Sequence, residues 1–502
     1  MKTDRMQSSF ENYFDFVEWE WNHEMTFHGI TFVNDSYSEN SSYQITFQRG
    51  DDFNIEATLS GLVSNHKDLQ LKHELIDGVF LRDEEINAKT NIPGYNCRMT
   101  GVAFGHEETI AIRPLLPVKI NLMVDEIDIF HDSHLKQLHI LREWMICAEN
   151  DFFFPRPSQT KNTHVYEHKW NGDLGSIKIS SNGGIAGGKD HLQIEFEEYR
   201  VIAFRIHNDS KKKPFWASKI GLEYRMDSGG IPPKSVRDSI RELLGFFMGT
   251  KLTLIGNSRY DRKFNIIGAE YHNLFGVDAK KLCNENQWMP IPLRSPRNAL
   301  QFESIFKKLL KEYIILRKEL SLNLALSYYW HSYTVHFEMS TPTIFNALEV
   351  IANNFLDEDN FQNQHIVDPS EFQMLIGSEL QSIRTRLIQA KVKTKDVDRI
   401  VSRIANSSLE SGVRSKLQLL FKELIIEIGA VEKKALTERN KLMHGSFDPT
   451  NDKKVRESVR LRRASQTLFN KVLLKILGYE SYYIDYYSTR AQPKLMSVPI
   501  GE

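Results

Sequence analysis

The chain changes its hydrophobic rhythm once. From about Thr26 to about Tyr224, short runs alternate apolar and polar side chains, as in Tyr43-Gln44-Ile45-Thr46-Phe47, Phe53-Asn54-Ile55-Glu56-Ala57 and Ser176-Ile177-Lys178-Ile179. A period of two turns one face of a strand toward a core and the other toward water. Turn-forming clusters separate these runs: Arg49-Gly50-Asp51-Asp52, Ile92-Pro93-Gly94, Asn171-Gly172-Asp173 and Asn182-Gly183-Gly184. Many short strands with frequent turns predict an antiparallel sandwich or barrel-like unit. Two helices are also predicted, one interrupting the strands at His134 to Asn150 and one after them at Lys234 to Met248, the latter starting behind Pro232-Pro233.

Residues Leu252 to Leu293 return to strand and loop character, and Pro290, Pro292 and Pro296 then punctuate the chain. From Arg297 onwards apolar residues recur at three- and four-residue spacing, for example Leu420, Leu424 and Ile428. That spacing predicts long amphipathic helices over Ala299 to Leu320, Thr341 to Phe355, Pro369 to Ala390, Lys395 to Ala405, Gly412 to Ile428, Val431 to Met443 and Asp452 to Leu477. The fold class is therefore α+β multidomain, with a β-rich antiparallel region over 1–297, divisible into two subdomains, and an all-α bundle over 298–502. No fixed-period repeat or low-complexity tract is present.

Composition narrows the class. A length of 502 residues gives two to four domains at ~100–200 residues each. Hydrophobic residues at 41% and charged residues at 26% exclude a mainly disordered or fibrous chain. A net charge of −1 argues against a chain coated for nucleic acid throughout, while leaving room for one basic face. Cys97, Cys147 and Cys283 are far apart and form no CxxC pair, which argues against a disulfide framework or a cysteine zinc site. The N-terminus is polar and leads into an acidic aromatic stretch from Phe10 to Glu24, without the apolar core of a signal peptide. Leu115 to Val124 is broken by Lys119 and Asn121, and no segment approaches the ~20 apolar residues of a membrane span. The expectation is a soluble, cytoplasmic protein with no membrane partner.

Several candidate sites have a simpler explanation. Gly183-Gly184-Ile185-Ala186-Gly187-Gly188-Lys189 nominally fits a phosphate-binding loop, but Asp190 stands where magnesium binding needs Ser or Thr. The residues after it alternate like a strand, so a hairpin loop is expected there. His131, His134 and His139 form the densest histidine cluster, yet lack a metalloprotease arrangement and read as surface or capping residues. No GxSxG elbow supports a serine hydrolase. Neither a metal nor a cofactor is expected from these motifs.

The sharpest signal is Arg439-Asn440-Lys441-Leu442-Met443-His444-Gly445, late in the helical half. Asn440 and His444 are i, i+4 neighbours if the segment is helical, and Arg439 is one step round the helix. Arginine can hold a phosphate through two parallel hydrogen bonds. Histidine can move protons near neutral pH. Metal-free RNA cleavage needs both. A bare Arg-to-His spacing is unspecific, since Arg200 and His207 also satisfy it inside a strand-like run. The Arg439 occurrence differs by its helical context, its following Asn and the Gly after His444.

On these residues the sequence resembles the HEPN superfamily, many of whose members are ribonucleases. The family motif is Arg, usually followed by Asn, Asp or His, a short spacer and His between helices of a bundle. Arg439, Asn440 and His444 match it. The segment Thr343 to Ile351 looks like the family's early core helix, in which an acidic residue often faces the site, and Glu349 is the matching residue. A large β-rich region ahead of the bundle resembles the ApeA type of antiphage HEPN protein. The resemblance implies a metal-independent endoribonuclease of abortive-infection defence. Its RNA 2′-hydroxyl would attack the adjacent phosphorus to leave 2′,3′-cyclic phosphate and 5′-hydroxyl ends. It also implies a homodimer or larger even assembly, with the first 297 residues sensing a phage component or restraining the nuclease. Some HEPN domains are non-catalytic scaffolds, and that alternative stays open.

The helix after the motif adds an electrostatic argument. Between Asp452 and Lys475 stand Lys453, Lys454, Arg456, Arg460, Arg462, Arg463, Lys471 and Lys475, against Asp452 and Glu457. This local surplus is a candidate footprint for an RNA backbone, carried foremost by Lys453, Lys454, Arg456, Arg460 and Arg463. A solvated helix face is the plainer explanation of such a run. The tail Tyr482-Tyr483-Ile484-Asp485-Tyr486-Tyr487 is expected to pack on the bundle rather than stack bases.

Overall fold

The structure, a computed structural model, describes residues 24–32, 44–50, 53–63, 84–90, 94–109, 116–131, 137–149, 152–169, 176–206, 217–274, 278–284, 288–293, 296–356, 369–406, 413–443, 450–488 and 490–502. The chain forms two units. One comprises 1–289 with 293–310, the other 290–292 with 311–502. The first is β-rich and antiparallel, and the second is helical. Among the described residues no helix is long and apolar enough to cross a membrane.

Fourteen strands of the first unit make one antiparallel sheet among the described residues. They are β1 (Glu24–Phe32), β2 (Gln44–Arg49), β3 (Ile55–Val63), β4 (Glu84–Thr90), β5 (Tyr95–Thr109), β6 (Leu116–Met123), β7 (Glu126–His131) and β8 (Ile140–Cys147). They continue with β9 (Arg156–Lys169), β10 (Ser176–Phe196), β11 (Tyr199–Ile206), β12 (Ser218–Arg225), β13 (Thr253–Tyr260) and β14 (Ile266–His272). The order β4-β1-β2-β3-β6-β5 closes on itself through β4–β5 pairing, giving a six-stranded barrel. From β5 the sheet runs on through β7, β14, β13, β8, β12, β11, β10 and β9.

Alternation builds the barrel interior. In β2, Ile45, Phe47 and Arg49 point inward while their neighbours do not. Phe27 stacks on Phe47 at 5.5 Å, and Tyr271 meets Phe47 edge-on at 5.3 Å. Arg49 holds the third inward position and is 1% exposed. Its guanidinium donates to the carbonyls of Phe53, Ile255 and His272, because a buried cation must find acceptors to replace its water.

Two sequence expectations fail here. The segment predicted as a helix from His134 to Asn150 contains the strand β8, held between β13 and β12. Its Arg142-Glu143 pair gives the run a helix-like polarity. Glu143 is nevertheless buried, with Arg237 at 2.8 Å and the Tyr224 hydroxyl donating at 3.0 Å, while Arg142 reaches Glu223 at 2.5 Å. Partners far away in sequence thus allow charged residues inside a central strand. The glycine-rich segment is not a hairpin loop either. It lies within β10, which pairs with β9 on both sides of a bulge between Asn182 and Ile185. A strand running on to Phe196 also rules out the phosphate-loop geometry there.

Helix α1 (Lys234–Met248) follows Pro233 as expected. It stops at Gly249, whose φ of 68° is left-handed and where an added Cβ would meet the Trp288 and Met289 backbone. After the short α2 (Ala279–Asn284) comes α3 (Pro296–Glu319). In its first part, Phe302 is fully buried among Phe152, Phe247 and Phe306, with ring centroids 5.4–5.5 Å apart. Glu303 takes a two-pronged contact from Arg156, at 2.8 and 2.7 Å.

The helical unit contains α4 (Leu322–His331), α5 (Phe337–Phe355), α6 (Pro369–Gln389), α7 (Thr394–Asn406), α8 (Val413–Glu423), α9 (Ala430–Met443) and α10 (Asp452–Ile476). The periodicity predicted all but α4, which begins after a left-handed Ser321. Helices α5, α9 and α10 pack on one another, and α8 packs on α5. Tyr329 of α4 stacks on Phe469 of α10 at 4.5 Å. A hairpin of β15 (Tyr482–Asp485) and β16 (Gln492–Leu495) follows, with Tyr483 and Tyr486 buried and Tyr482 exposed.

Candidate functional site

Of the motif, Arg439 to Met443 lie on the last turns of α9. Two contacts fix where that helix begins. Glu432, buried in its first turn, accepts the backbone N–H of Gly429 at 3.1 Å and of Ile500 at 2.7 Å. A carboxylate at a helix N-terminus satisfies backbone donors that the helix cannot. Burial pushes the Glu432 carboxyl above its ordinary value, and these hydrogen bonds pull the other way. The tail is held in turn by Lys471 of α10, which donates to the Val498 carbonyl at 2.8 Å and lies over the Tyr483 ring.

Further along α9, side chains tie it to α10. Lys434 pairs with Glu457 at 2.6 Å, and the Ser458 hydroxyl donates to Glu438 at 2.7 Å. Leu436 and Leu442 are buried on the inner side of α9. Arg439 is then placed against α5, where its Nη2 donates to Glu349 Oε1. The Arg439 and Glu349 side chains are 16% and 24% exposed, so the pair is largely screened from solvent yet not sealed. Asn440 is the next residue of α9. His444 lies outside the described residues, as does the Asn440 side chain.

The proposed basic face is not uniform. Lys453, Lys454 and Arg456 are exposed on the first turns of α10. Arg460 is exposed too, but its guanidinium covers the Tyr487 ring at 4.5 Å. Arg463 is half-buried, and Arg462 lies over Tyr333 at 5.7 Å. Lys471 is fully buried and Lys475 is paired with Glu480, so neither belongs to a backbone footprint. Sequence reasoning overlooked Glu432 and Glu438. Glu438 directly precedes the motif arginine, the one local hint available.

The histidine cluster does not converge among its described members. His131 meets the Tyr95 ring at 4.9 Å, His139 lies 3.5 Å from Asp227, and His134 is outside the described residues. Chemically, the α5–α9 contact offers a cation held by a carboxylate. No protein-family description, curated protein or solved structure matches this chain.

Proposed function

We propose that this chain is a cytoplasmic, metal-independent endoribonuclease of the HEPN type acting in abortive-infection antiphage defence. The observation that carries this reading is the charged hydrogen bond between Arg439 and Glu349. The motif arginine and the acidic residue that the family resemblance singles out are neighbours, although they sit on different helices. In this mechanism the RNA 2′-hydroxyl attacks the adjacent phosphorus, and His444 transfers a proton as general base or acid. Arg439 stabilises the charge that builds on the phosphate. Asn440 orients the phosphate or His444, and Glu349 holds the Arg439 guanidinium in place. The exposed Lys453, Lys454 and Arg456 draw in the RNA backbone. Two copies pair their bundles so that two motifs face one cleft. The β-rich region senses a phage component or restrains the nuclease.

The deciding experiment is RNA cleavage in EDTA by the wild type, Arg439→Ala and His444→Ala, with product ends mapped. Wild-type cleavage leaving 2′,3′-cyclic phosphate, with both variants inactive, is the expected result. Undiminished cleavage by both variants overturns the site assignment.

One observation favours a second reading, a non-catalytic HEPN scaffold. Arg439 is engaged by Glu349 within a single chain and is mostly covered. In that case neither RNA cleavage nor its loss in the variants would be seen, and the pair would matter for stability alone.

A further inference from the structure

The β-rich unit carries a cluster of side chains that the nuclease reading does not use. On β14, Glu270 and His272 are two residues apart and share one face of the sheet. His272 stands directly opposite Glu126 of β7, and Glu270 directly opposite Asn257 of β13. Three adjacent strands therefore bring Glu126, Asn257, Glu270 and His272 to one patch. One donor atom from each of Glu126, Glu270 and His272 lies within 4.8 Å of the other two.

The finer geometry is that of ligands converging on a shared point. His272 Nε2 approaches Glu270 Oε1 to 3.0 Å, yet it is buried and has no hydrogen-bond partner. Close approach without hydrogen-bond alignment is what two ligands of one ion show, since donors ~2.0–2.2 Å from a tetrahedral ion sit about 3.4 Å apart. Asn257, 5% exposed, places its amide 2.5 Å from Glu270 Oε2, and its Oδ1 is a second buried atom without a partner. The neighbouring carboxylate, Asp128, is already held by Arg259 and, at 3.8 Å, by Arg98. The Glu126 side chain is 37% exposed, which leaves a route of entry.

We propose that Glu126, Glu270 and His272 bind a divalent first-row transition-metal ion, with Asn257 supporting Glu270 from the next strand. Two carboxylates and an imidazole suit Zn²⁺ or Mn²⁺, whereas Mg²⁺ and Ca²⁺ prefer all-oxygen shells. The ion ties β7 to β14, across the seam between the first two strands of the sheet beyond the barrel's β5. Its role is to hold that seam, because a site assembled only on folding adds its binding free energy to the folded state. It lies in the β-rich unit and takes no part in the RNA chemistry proposed for the Arg439 motif.

The test is equilibrium dialysis of the full chain, stripped with chelator, against Zn²⁺, Mn²⁺ and Mg²⁺ separately, with thermal unfolding of each sample. One equivalent of Zn²⁺ or Mn²⁺ is expected, with a raised midpoint and no comparable effect of Mg²⁺. The isosteric Glu270→Gln and the variant His272→Gln should each weaken binding by more than the ~10–100-fold that loss of an outer supporting residue costs. Far-ultraviolet circular dichroism checks that both variants are folded. Absence of a bound equivalent overturns the proposal. Retention of the equivalent in both folded variants also overturns it, by placing the ion elsewhere. Binding is read without RNA, so its failure is distinct from failure of the nuclease reading.

Discussion

Arg439 and Glu349, 90 residues apart in the chain, are joined by a charged hydrogen bond between α9 and α5. Both side chains are mostly covered, so removing one leaves the other poorly solvated.

Truncating either partner should therefore lower stability by about 1–3 kcal/mol. The double variant Arg439→Ala/Glu349→Ala should cost less than the sum of the singles, as expected for residues in contact. Urea titrations of the four proteins measure this. On the nuclease reading, Arg439→Ala should also lower cleavage by ~10²–10³-fold, the scale for loss of one charge-stabilising donor. Glu349→Gln should lose less, because the arginine remains.

Salt dependence tests the exposed start of α10. Combined Lys453→Ala, Lys454→Ala and Arg456→Ala should weaken single-stranded RNA binding across all sequences. The slope of log affinity against log salt should flatten by about 0.7 for each phosphate that the variant no longer neutralises. An unchanged slope would assign these residues to an ordinary solvated face.

Lys471 sets a pH dependence. Burial lowers its ammonium to about 8, against an ordinary value of 10.5, and the attraction of Glu432 and Asp485 only partly opposes this. Between those two values the unfolded chain holds a proton that the native state has released. Stability from this group therefore rises with pH across about 8 to 10.5 and is flat below it. Unfolding free energies of wild type and Lys471→Met should diverge in favour of the wild type over that window. Parallel curves would refute it.

The thiols should be inert in the native state. Cys97, Cys147 and Cys283 are all buried, and burial raises each one, Cys147 to about 12. The thiolate is the reactive form, so Ellman's reagent at pH 8 should label none of the three rapidly and all of them in guanidinium.

Phe302 anchors the aromatic cluster of the β-rich unit. Phe302→Ala should destabilise that unit by about 3–5 kcal/mol, because Phe152, Phe247 and Phe306 cannot close around the space left. Tryptophan fluorescence during urea unfolding reports it.

The sequence by itself determined the two kinds of periodicity, and with them a β-rich first part and a helical second part. Amphipathic spacing is a local property, and it located helices such as α6, α9 and α10 to within a few residues. The motif around Arg439, and the family resemblance it carries, pointed to Arg439 and Glu349 as residues to watch. What only the tertiary structure decided was non-local. Residues Ile140–Cys147 form a strand because β12 and β13 flank them and Arg237 and Tyr224 satisfy Glu143. The glycine-rich run stays in β10 because β9 pairs along it. Closure of the barrel through β4 and β5, the burial of Lys471, and the meeting of Glu126, Glu270 and His272 are likewise invisible to spacing rules. Each depends on which strands or helices become neighbours, and hydrogen bonds and ion pairs between distant segments form only after that choice is made.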